Sequence, residues 1–469
     1  MTQHNIHLYY KNVTSEVIGT EHGISKTQFD QLAQTTAPLI AELNRQRKAG
    51  KTPYRDLPYN ETYPQQVKTL AQQVRQNCET FVVLGIGGSA LGNIALQTAL
   101  NPFMYNLDDK QRSGPRLFVF DNVDPHQFGS FLEWAADKLD KTVFNVISKS
   151  GRTAETAAQM LVIFDLIEKK LGPDGLKKQV IATTDAREGT LRKIADAAAL
   201  RTLEVPDGVG GRFSVLSPVG LLSAAVCGID IDALLAGARA MDARCSSENF
   251  FNNPAALNAA INRHYYHRGK PISVMMPYSY SLKDMSDWYR QLWAESLGKR
   301  NDLKGNEVCI GPTPVKALGT TDQHSQVQLY REGPNDKLFT FLQVDQFNQD
   351  VIIGPAPKNA PELSYLAGQP MSRLLNAEKV ATEYALLHDK RPCLTVLFDA
   401  IDAGTVGQFI YLFEVTTSLA GLLFNINAYD QPAVELGKDA TFALMDKPGS
   451  EALAEKIRPF AAMDQAFMS

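Results

Sequence analysis

Hydrophobic and polar positions along this chain form strand-like runs in some stretches and a helix-like repeat in others. The order of these stretches predicts its elements. Residues 1–60 are polar and carry one helical pattern, at 26–48. Beyond them, short β-branched and aromatic runs predict strands at 81–84, 117–120, 143–147 and 180–183. Amphipathic stretches between these runs predict helices at 153–170 and 189–199. Alternating strands and helices indicate a parallel sheet covered by helices on both faces.

The same alternation begins again after Asp230. Strands are predicted at 272–276, 338–344 and 394–398, and helices at 281–297, 371–387 and 407–424. The predicted fold class is therefore α/β: two tandem αβα sandwich domains with parallel-sheet cores, plus helical N- and C-terminal segments. The predicted domains are a mainly helical N-terminal segment, two sandwiches and a C-terminal helical arm, at residues 1–60, 61–230, 231–435 and 436–469.

Composition narrows the function classes. The chain has 469 residues, 44% of them hydrophobic and 21% charged, and a net charge of −4. Both signs of charge are spread along the chain, so a basic nucleic-acid surface and a polybasic membrane patch are not expected. A small anionic ligand would have to be bound by a few locally placed groups.

The five cysteines are scattered and never form a Cys-x-x-Cys pair, so neither a disulfide framework nor a zinc site is expected. The N-terminus lacks the pattern of a secretory signal, and no window holds 18 uninterrupted apolar residues. The expected location is the cytoplasm, with no membrane partner.

A hydroxyl-rich loop follows the predicted strand 143–147. Its sequence, SKSGRT, holds Ser148, Lys149, Ser150 and Thr153 directly before a predicted helix. Helix N-termini favour anions, because their first N–H groups lack intrahelical partners. Ordinary capping by Thr153 explains one hydroxyl but not three in six residues. The loop therefore predicts a phosphate site.

A glycine loop at 85–92, GIGGSALG, also lies between a strand and a helix. It matches a dinucleotide-binding pattern, but that pattern expects an acidic residue about 20 positions on, at the end of the next strand. That strand ends at Asp121, well beyond this distance. We therefore interpret Gly88 and Ser89 as a close backbone approach to a sugar phosphate.

Five further side chains are candidates for proton chemistry and its support, each with an ordinary alternative. Gln291 and Glu295 share one helix face, which for this segment alone is more typical of a solvated surface. Arg212 follows two glycines, in a tight loop or in a turn that pairs it with a carboxylate. A loop histidine, His324, is weak evidence alone, and Lys438 matches a surface lysine.

Together, and in this order, these segments resemble the glucose-6-phosphate isomerase family. The resemblance rests on DGVGGRFS at 207–214 and YDQPAVELGK at 429–438, with the segments above, and covers about residues 65 to 445. It implies two sugar-isomerase (SIS) domains, a helical C-terminal arm and a homodimer with shared active sites. It also implies reversible isomerisation of D-glucose 6-phosphate and D-fructose 6-phosphate through a cis-enediolate, in glycolysis and gluconeogenesis, without cofactor or metal.

The resemblance also assigns roles to individual residues. Glu295 matches the base that moves a proton between C1 and C2, and Arg212 the group facing the enediolate. His324 and Lys438 match residues that assist ring opening, with Glu155 orienting His324. The residues that match substrate-binding positions are Gly88, Ser89, Ser148, Lys149, Ser150, Thr153, Gln291 and Gln431.

Two positions depart from the family pattern: Ala433 replaces a glycine, and Arg152 replaces a smaller or uncharged residue. Neither departure removes a chemical group. Two alternatives remain from the sequence: an isomerase that also accepts mannose 6-phosphate, and a non-catalytic phosphosugar-binding SIS regulator. The regulator expects a DNA-binding N-terminal module, for which no basic segment is evident.

Overall fold

The computed structural model describes residues 4–469. The chain divides into two compact units, one ending at Ala428 and the other spanning Tyr429–Ser469. The first unit contains all twelve strands of the described residues. These are β1 Ile6–Tyr9, β2 Thr80–Leu84, β3 Arg116–Phe120, β4 Thr142–Ile147, β5 Val180–Thr184, β6 Arg201–Glu204, β7 Ile272–Pro277, β8 Lys299–Asn301, β9 Glu307–Ile310, β10 Thr313–Lys316, β11 Lys337–Gln346 and β12 Cys393–Ala400.

Fifteen α-helices of the described residues belong to the first unit and two to the second. The first set is α1 Ser15–Ile18, α2 Lys26–Lys48, α3 Thr62–Asn77, α4 Leu91–Leu100, α5 Pro125–Ala135, α6 Ala154–Leu171, α7 Gly175–Gln179, α8 Thr190–Ala197, α9 Pro218–Val226, α10 Ile231–Cys245, α11 Pro254–His267, α12 Lys283–Leu297, α13 Val327–Glu332, α14 Met371–His388 and α15 Ala403–Leu423. The second set is α16 Glu435–Leu444 and α17 Glu451–Ala461.

The first sheet is parallel throughout, in the order β3-β2-β4-β5-β6. Every residue of β2, β4 and β5 is buried, as expected for central strands covered on both faces. The chain leaves β2 for β3 on one side and then returns to β4 on the other. Such a reversal opens a crevice at the carboxyl ends of β2 and β4, and ligands of α/β proteins bind in such crevices.

The second sheet has the order β1-β12-β11-β7-β10. Its last four strands are parallel, and β1 pairs antiparallel with β12, from Ile6 opposite Phe398 to Tyr9 opposite Thr395. The predicted fold class, α/β with two parallel-sheet cores, is confirmed. The N-terminal segment adds an edge strand that was not predicted. The proposed domain boundaries stay predictions.

The central helix α15 lies in the core of the first unit. It packs mainly on α10 and α11, and 17 of its residues are buried. Among residues 4–469 it is the one helix long and apolar enough to cross a membrane, but 89% of its apolar window is buried in the protein. A core helix passes the same test of length and composition.

Candidate active site

Two glycine loops meet at the carboxyl end of β2. A short 3-10 turn, Gly87–Ser89, leaves the strand, and a second turn, Gly211–Phe213, lies against it. A Cβ added to Gly88 would lie 2.1 Å from the Gly211 carbonyl carbon and 2.7 Å from the Arg212 nitrogen. Only a glycine permits this approach, so Gly88 places the backbone of Arg212 beside the first sheet.

Helix α12 brings Gln291 and Glu295 to the same place. A Cβ added to Gly87 would lie 2.8 Å from the Gln291 amide nitrogen, so that side chain covers the glycine loop. The same nitrogen, Nε2, donates to Glu295 Oε1 at 3.2 Å. The two side chains therefore share one helix face, and that face is directed at the crevice rather than at open solvent.

Arg212 is buried at 3% exposure and joins three parts of the fold. Its Nη1 donates to Glu295 Oε2 at 3.2 Å, its Nε to Ser296 Oγ at 2.7 Å and its Nη2 to the Ala428 carbonyl at 2.8 Å. The Glu295 side chain is about one-third exposed at 34%. A buried cation thus lies against an accessible carboxylate, an arrangement suited to moving a proton beside a developing negative charge.

The hydroxyl-rich loop follows β4, the strand next to β2 in the sheet. Ser148 Oγ accepts from the Gly151 amide at 3.0 Å, and Ser150 Oγ accepts from the Arg152 amide at 3.2 Å. Thr153 is the N-cap residue of α6, but its side chain makes no capping hydrogen bond. The capping alternative is therefore wrong for Thr153, and its hydroxyl lies 3.4 Å from Ser148 Oγ within the loop.

This loop carries two basic side chains. Lys149 and Arg152 are both exposed, and Lys149 Nζ lies 3.2 Å from Asp207 Oδ1, in the segment that precedes Arg212. The amide of Thr190, the first residue of α8, donates to the Ser150 carbonyl at 2.9 Å. The loop is thus fixed by its own hydroxyls and by neighbouring backbone, while its cations face solvent.

His324 is placed differently. It ends the 3-10 turn Thr321–His324, and it is exposed. Within residues 4–469, no hydrogen bond or ion pair connects His324 with Glu155 or with the Arg212–Glu295 pair. In the described residues this histidine therefore makes no direct polar contact with the pair.

The C-terminal unit carries Gln431 and Lys438. Gln431 precedes the 3-10 turn Pro432–Val434, and Lys438 lies in α16 with Nζ 2.7 Å from Glu435 Oε1. Ala433 lies inside that turn and is not among the residues with positive φ. Its departure from glycine is therefore compatible with the local backbone.

Sequence reasoning missed two contacts of Arg212, those with Ser296 and the Ala428 carbonyl. Ser296 directly follows Glu295, and this adjacency was the one available signal. The described residues contain no group of three or more His, Cys, Asp or Glu side chains arranged to hold a metal ion.

Comparison with known proteins places this geometry in a family. The family model described as "Phosphoglucose isomerase" matches residues 61–459. The chain is 46% identical over 436 residues to the glucose-6-phosphate isomerase of Carboxydothermus hydrogenoformans, covering 92% of this chain and 93% of that protein. It is 37% identical to a probable glucose-6-phosphate isomerase of Methanococcus maripaludis, with 92% of each chain covered.

Solved structures agree. A hypothetical protein of Thermus thermophilus superposes with a TM-score of 0.81 at 35% identity, over 90% of this chain and 98% of that one. A glucose-6-phosphate isomerase of Chlamydia trachomatis superposes with a TM-score of 0.72 at 24% identity, over 85% and 77%, and supports the fold alone. From these matches, the chain belongs to the phosphoglucose isomerase family.

Proposed function

We propose that this protein interconverts D-glucose 6-phosphate and D-fructose 6-phosphate by proton transfer through a cis-enediolate. The observation that carries the proposal is the 3.2 Å contact between Arg212 and Glu295 at the crevice of the first sheet. Family membership supports the substrate, because the relatives are named for glucose 6-phosphate. The activity belongs to glycolysis and gluconeogenesis.

The hydroxyl-rich loop binds the substrate phosphate in this proposal. Ser148, Ser150 and Thr153 donate hydroxyl hydrogen bonds, and exposed Lys149 adds positive charge. Gly88, Ser89 and Gln291 line the sugar from the neighbouring loop and helix. Anchoring the phosphate holds the reacting carbons near Glu295, which converts a collision into an intramolecular step.

Glu295 then removes the proton α to the carbonyl and returns it to the adjacent carbon, while the hydroxyl proton moves from one oxygen of the enediolate to the other. When the carboxylate takes the proton, its negative charge moves to the enediolate oxygen. Arg212, already paired with that carboxylate, stabilises the displaced charge because it is in place before the reaction starts. His324 and Lys438 assist ring opening, Glu155 orients His324, and Gln431 contributes a further substrate contact.

A homodimer with shared active sites, which the family resemblance implies, is part of the proposal. His324 is exposed and makes no polar contact with the Arg212–Glu295 pair, which supports a site completed by a second copy. Apolar surface is also available, since Val351, Ile352 and Met371 are each more than half exposed where backbone hydrogen bonds join 351–353 to 369–371. The five free cysteines support a reducing location, the cytoplasm.

The decisive variant is Glu295→Gln, which removes the base and keeps the shape. We expect turnover of fructose 6-phosphate to fall at least about a thousandfold, because the chemical step loses its proton acceptor, while substrate still binds. Turnover is measured by coupling glucose 6-phosphate formation to a dehydrogenase, and binding by calorimetry. Mannose 6-phosphate is assayed in parallel.

The matched control is Glu133→Gln, the same substitution at an exposed position of α5, which should keep full turnover. Wild-type turnover in Glu295→Gln would refute the base assignment. Tight phosphosugar binding by the wild-type protein without any turnover would favour a regulator instead.

A further inference from the structure

Two of the acceptors that hold Arg212 are electrically neutral. One is the hydroxyl of Ser296, at 2.7 Å from Nε, and the other is the Ala428 carbonyl, at 2.8 Å from Nη2. Ser296 has 0% exposure, so bulk water does not compete with its hydroxyl as the acceptor. Neutral acceptors orient a guanidinium while leaving its charge available for a substrate oxygen, which is the requirement for preorganised electrostatic stabilisation.

Ser296 also has a particular place in the sequence, directly after Glu295. Consecutive residues of one helix, α12, therefore contact the same guanidinium through two different nitrogens. The group is planar and rigid, so fixing Nε fixes the direction of the whole fork. The separation between the Glu295 carboxylate and the guanidinium therefore depends on α12, which carries both Glu295 and Ser296.

We propose that Ser296 is a positioning residue for this reaction, which holds Arg212 facing the enediolate and prevents it from closing fully onto Glu295. The inference rests on the proposed function, in which Arg212 stabilises the enediolate. Without the Ser296 hydroxyl, the buried Nε–H loses its acceptor, and the guanidinium turns toward the Glu295 carboxylate that Nη1 already contacts at 3.2 Å. Glu295 then forms a bidentate pair and becomes a poorer base.

The test is a double-mutant cycle on kcat and KM for fructose 6-phosphate, using Ser296→Ala, Arg212→Lys and the double variant. Ser296→Ala should lower kcat about tenfold, through misplacement of the arginine, and leave KM within about twofold. Arg212→Lys should lower kcat further. Adding Ser296→Ala to Arg212→Lys should have no additional effect, because lysine has no Nε–H for the hydroxyl to hold.

A purely structural role for Ser296 predicts the opposite, with the two losses multiplying in the double variant. That result, or an unchanged kcat in Ser296→Ala, overturns the inference and leaves the proposed function intact. Full kcat in Arg212→Lys overturns the role of Arg212 itself, and the inference with it. If Ser296→Ala does not fold, Ser296→Cys replaces it, since a thiol of similar size is a weaker acceptor.

Ser286→Ala is the matched control. Ser286 is also a buried serine of α12, at 2% exposure, and its hydroxyl donates to the Lys283 backbone carbonyl. Its removal should lower the thermal midpoint without changing kcat. An equal loss of kcat in this variant would mean that any buried serine of the helix has the same effect, and would overturn the inference.

Discussion

At the scale of single residues, Asp242 is the most densely bonded carboxylate of the core. It accepts from Tyr411 at 2.6 Å, from Tyr59 and Arg47 at 2.7 Å and from Arg55 at 3.2 Å. Burial alone would raise the pKa of Asp242, but these hydrogen bonds outweigh it and lower the pKa to about 2. Because the folded-state value is depressed, the ionised carboxylate stabilises the protein.

This stabilisation is fully present above the ordinary aspartate pKa of about 3.9 and is lost as pH falls through about 2. Asp242→Asn should therefore lower the free energy of unfolding by about 2–3 kcal/mol at pH 7, and the difference should narrow below pH 4. Denaturant titration from pH 7 down to the lowest pH at which both proteins fold measures it. Asp232→Asn, an exposed position of the same helix α10, should change little.

The contribution of Glu414 to stability depends on pH in the opposite direction. Its side chain is fully buried in α15, neither carboxyl oxygen has a hydrogen-bond partner in residues 4–469, and burial raises its pKa well above the ordinary value. The protonated form is favoured in the folded state, so stability is lost as pH rises above the ordinary glutamate value of about 4.3.

Glu414→Gln removes the titrating proton at nearly constant shape. Relative to the wild type, we expect this variant to gain stability as pH rises from 5 to 8, measured by urea denaturation at both values. An identical difference between variant and wild type at the two pH values would contradict the assignment of a neutral carboxyl.

The sequence predicted some of the site at this scale and not the rest. Gln291 and Glu295 lie four residues apart, and helical geometry alone places them together. Ser296 and Ala428 contact Arg212 across 84 and 216 residues of chain. Such contacts depend on how α12 and the segment that follows α15 pack around Arg212. No local sequence pattern specifies that packing.

At the scale of elements, α10 and α15 approach closely through glycines. A Cβ added to Gly407 would lie 1.9 Å from the Leu234 carbonyl oxygen, and one added to Gly237 would lie 1.9 Å from the Gly404 oxygen. Alanine normally favours a helix over glycine by about 1 kcal/mol. Here the missing side chains allow the two backbones to pack directly.

Gly407→Ala should consequently destabilise the protein by about 1–3 kcal/mol, because the methyl group forces the helices apart. Gly129→Ala is the counterpart, at a helix position of α5 where an added Cβ meets nothing within 4 Å. It should be neutral or stabilising by up to about 1 kcal/mol. Urea denaturation gives both values. If Gly407→Ala also stabilised the protein, helix propensity and not packing would control this position of α15.

Element prediction succeeded where a helical pattern was long or a strand was fully buried. Helix α2 begins and ends as predicted, and the buried strands β2, β4 and β5 match within a residue or two at each end. Strands β1, β6, β8, β9 and β10 were not predicted. Each has four residues or fewer, and none is fully buried, so one or two alternations carried too little signal to separate strand from loop.

At the scale of the whole molecule, a shared active site makes a prediction about mixtures. Glu295→Gln and His324→Ala should each be inactive alone, and a mixture refolded together should recover about a quarter of the wild-type sites. Recovery occurs because a mixed dimer has one site with both native residues. Activity of the mixture is compared with the average of the two separate variants.

A mixture of Glu295→Gln with Arg212→Ala provides the control. These two residues contact each other within one chain, so no mixed dimer restores a complete pair, and activity should not recover. Failure of the first mixture to exceed the second would mean that His324 serves its own chain.

The pairing of β1 with β12 joins residues 6–9 to residues 395–398. A ribosome adds about 5–20 residues each second, so roughly 20–80 seconds separate the emergence of the two strands. During that time the first strand has no native strand partner, and the second sheet cannot gain this edge until residues 395–398 have been synthesised. For this segment the native pairing therefore forms late: β1 stays without its strand partner until β12 has emerged, and a chain released before that point would expose the strand unpaired.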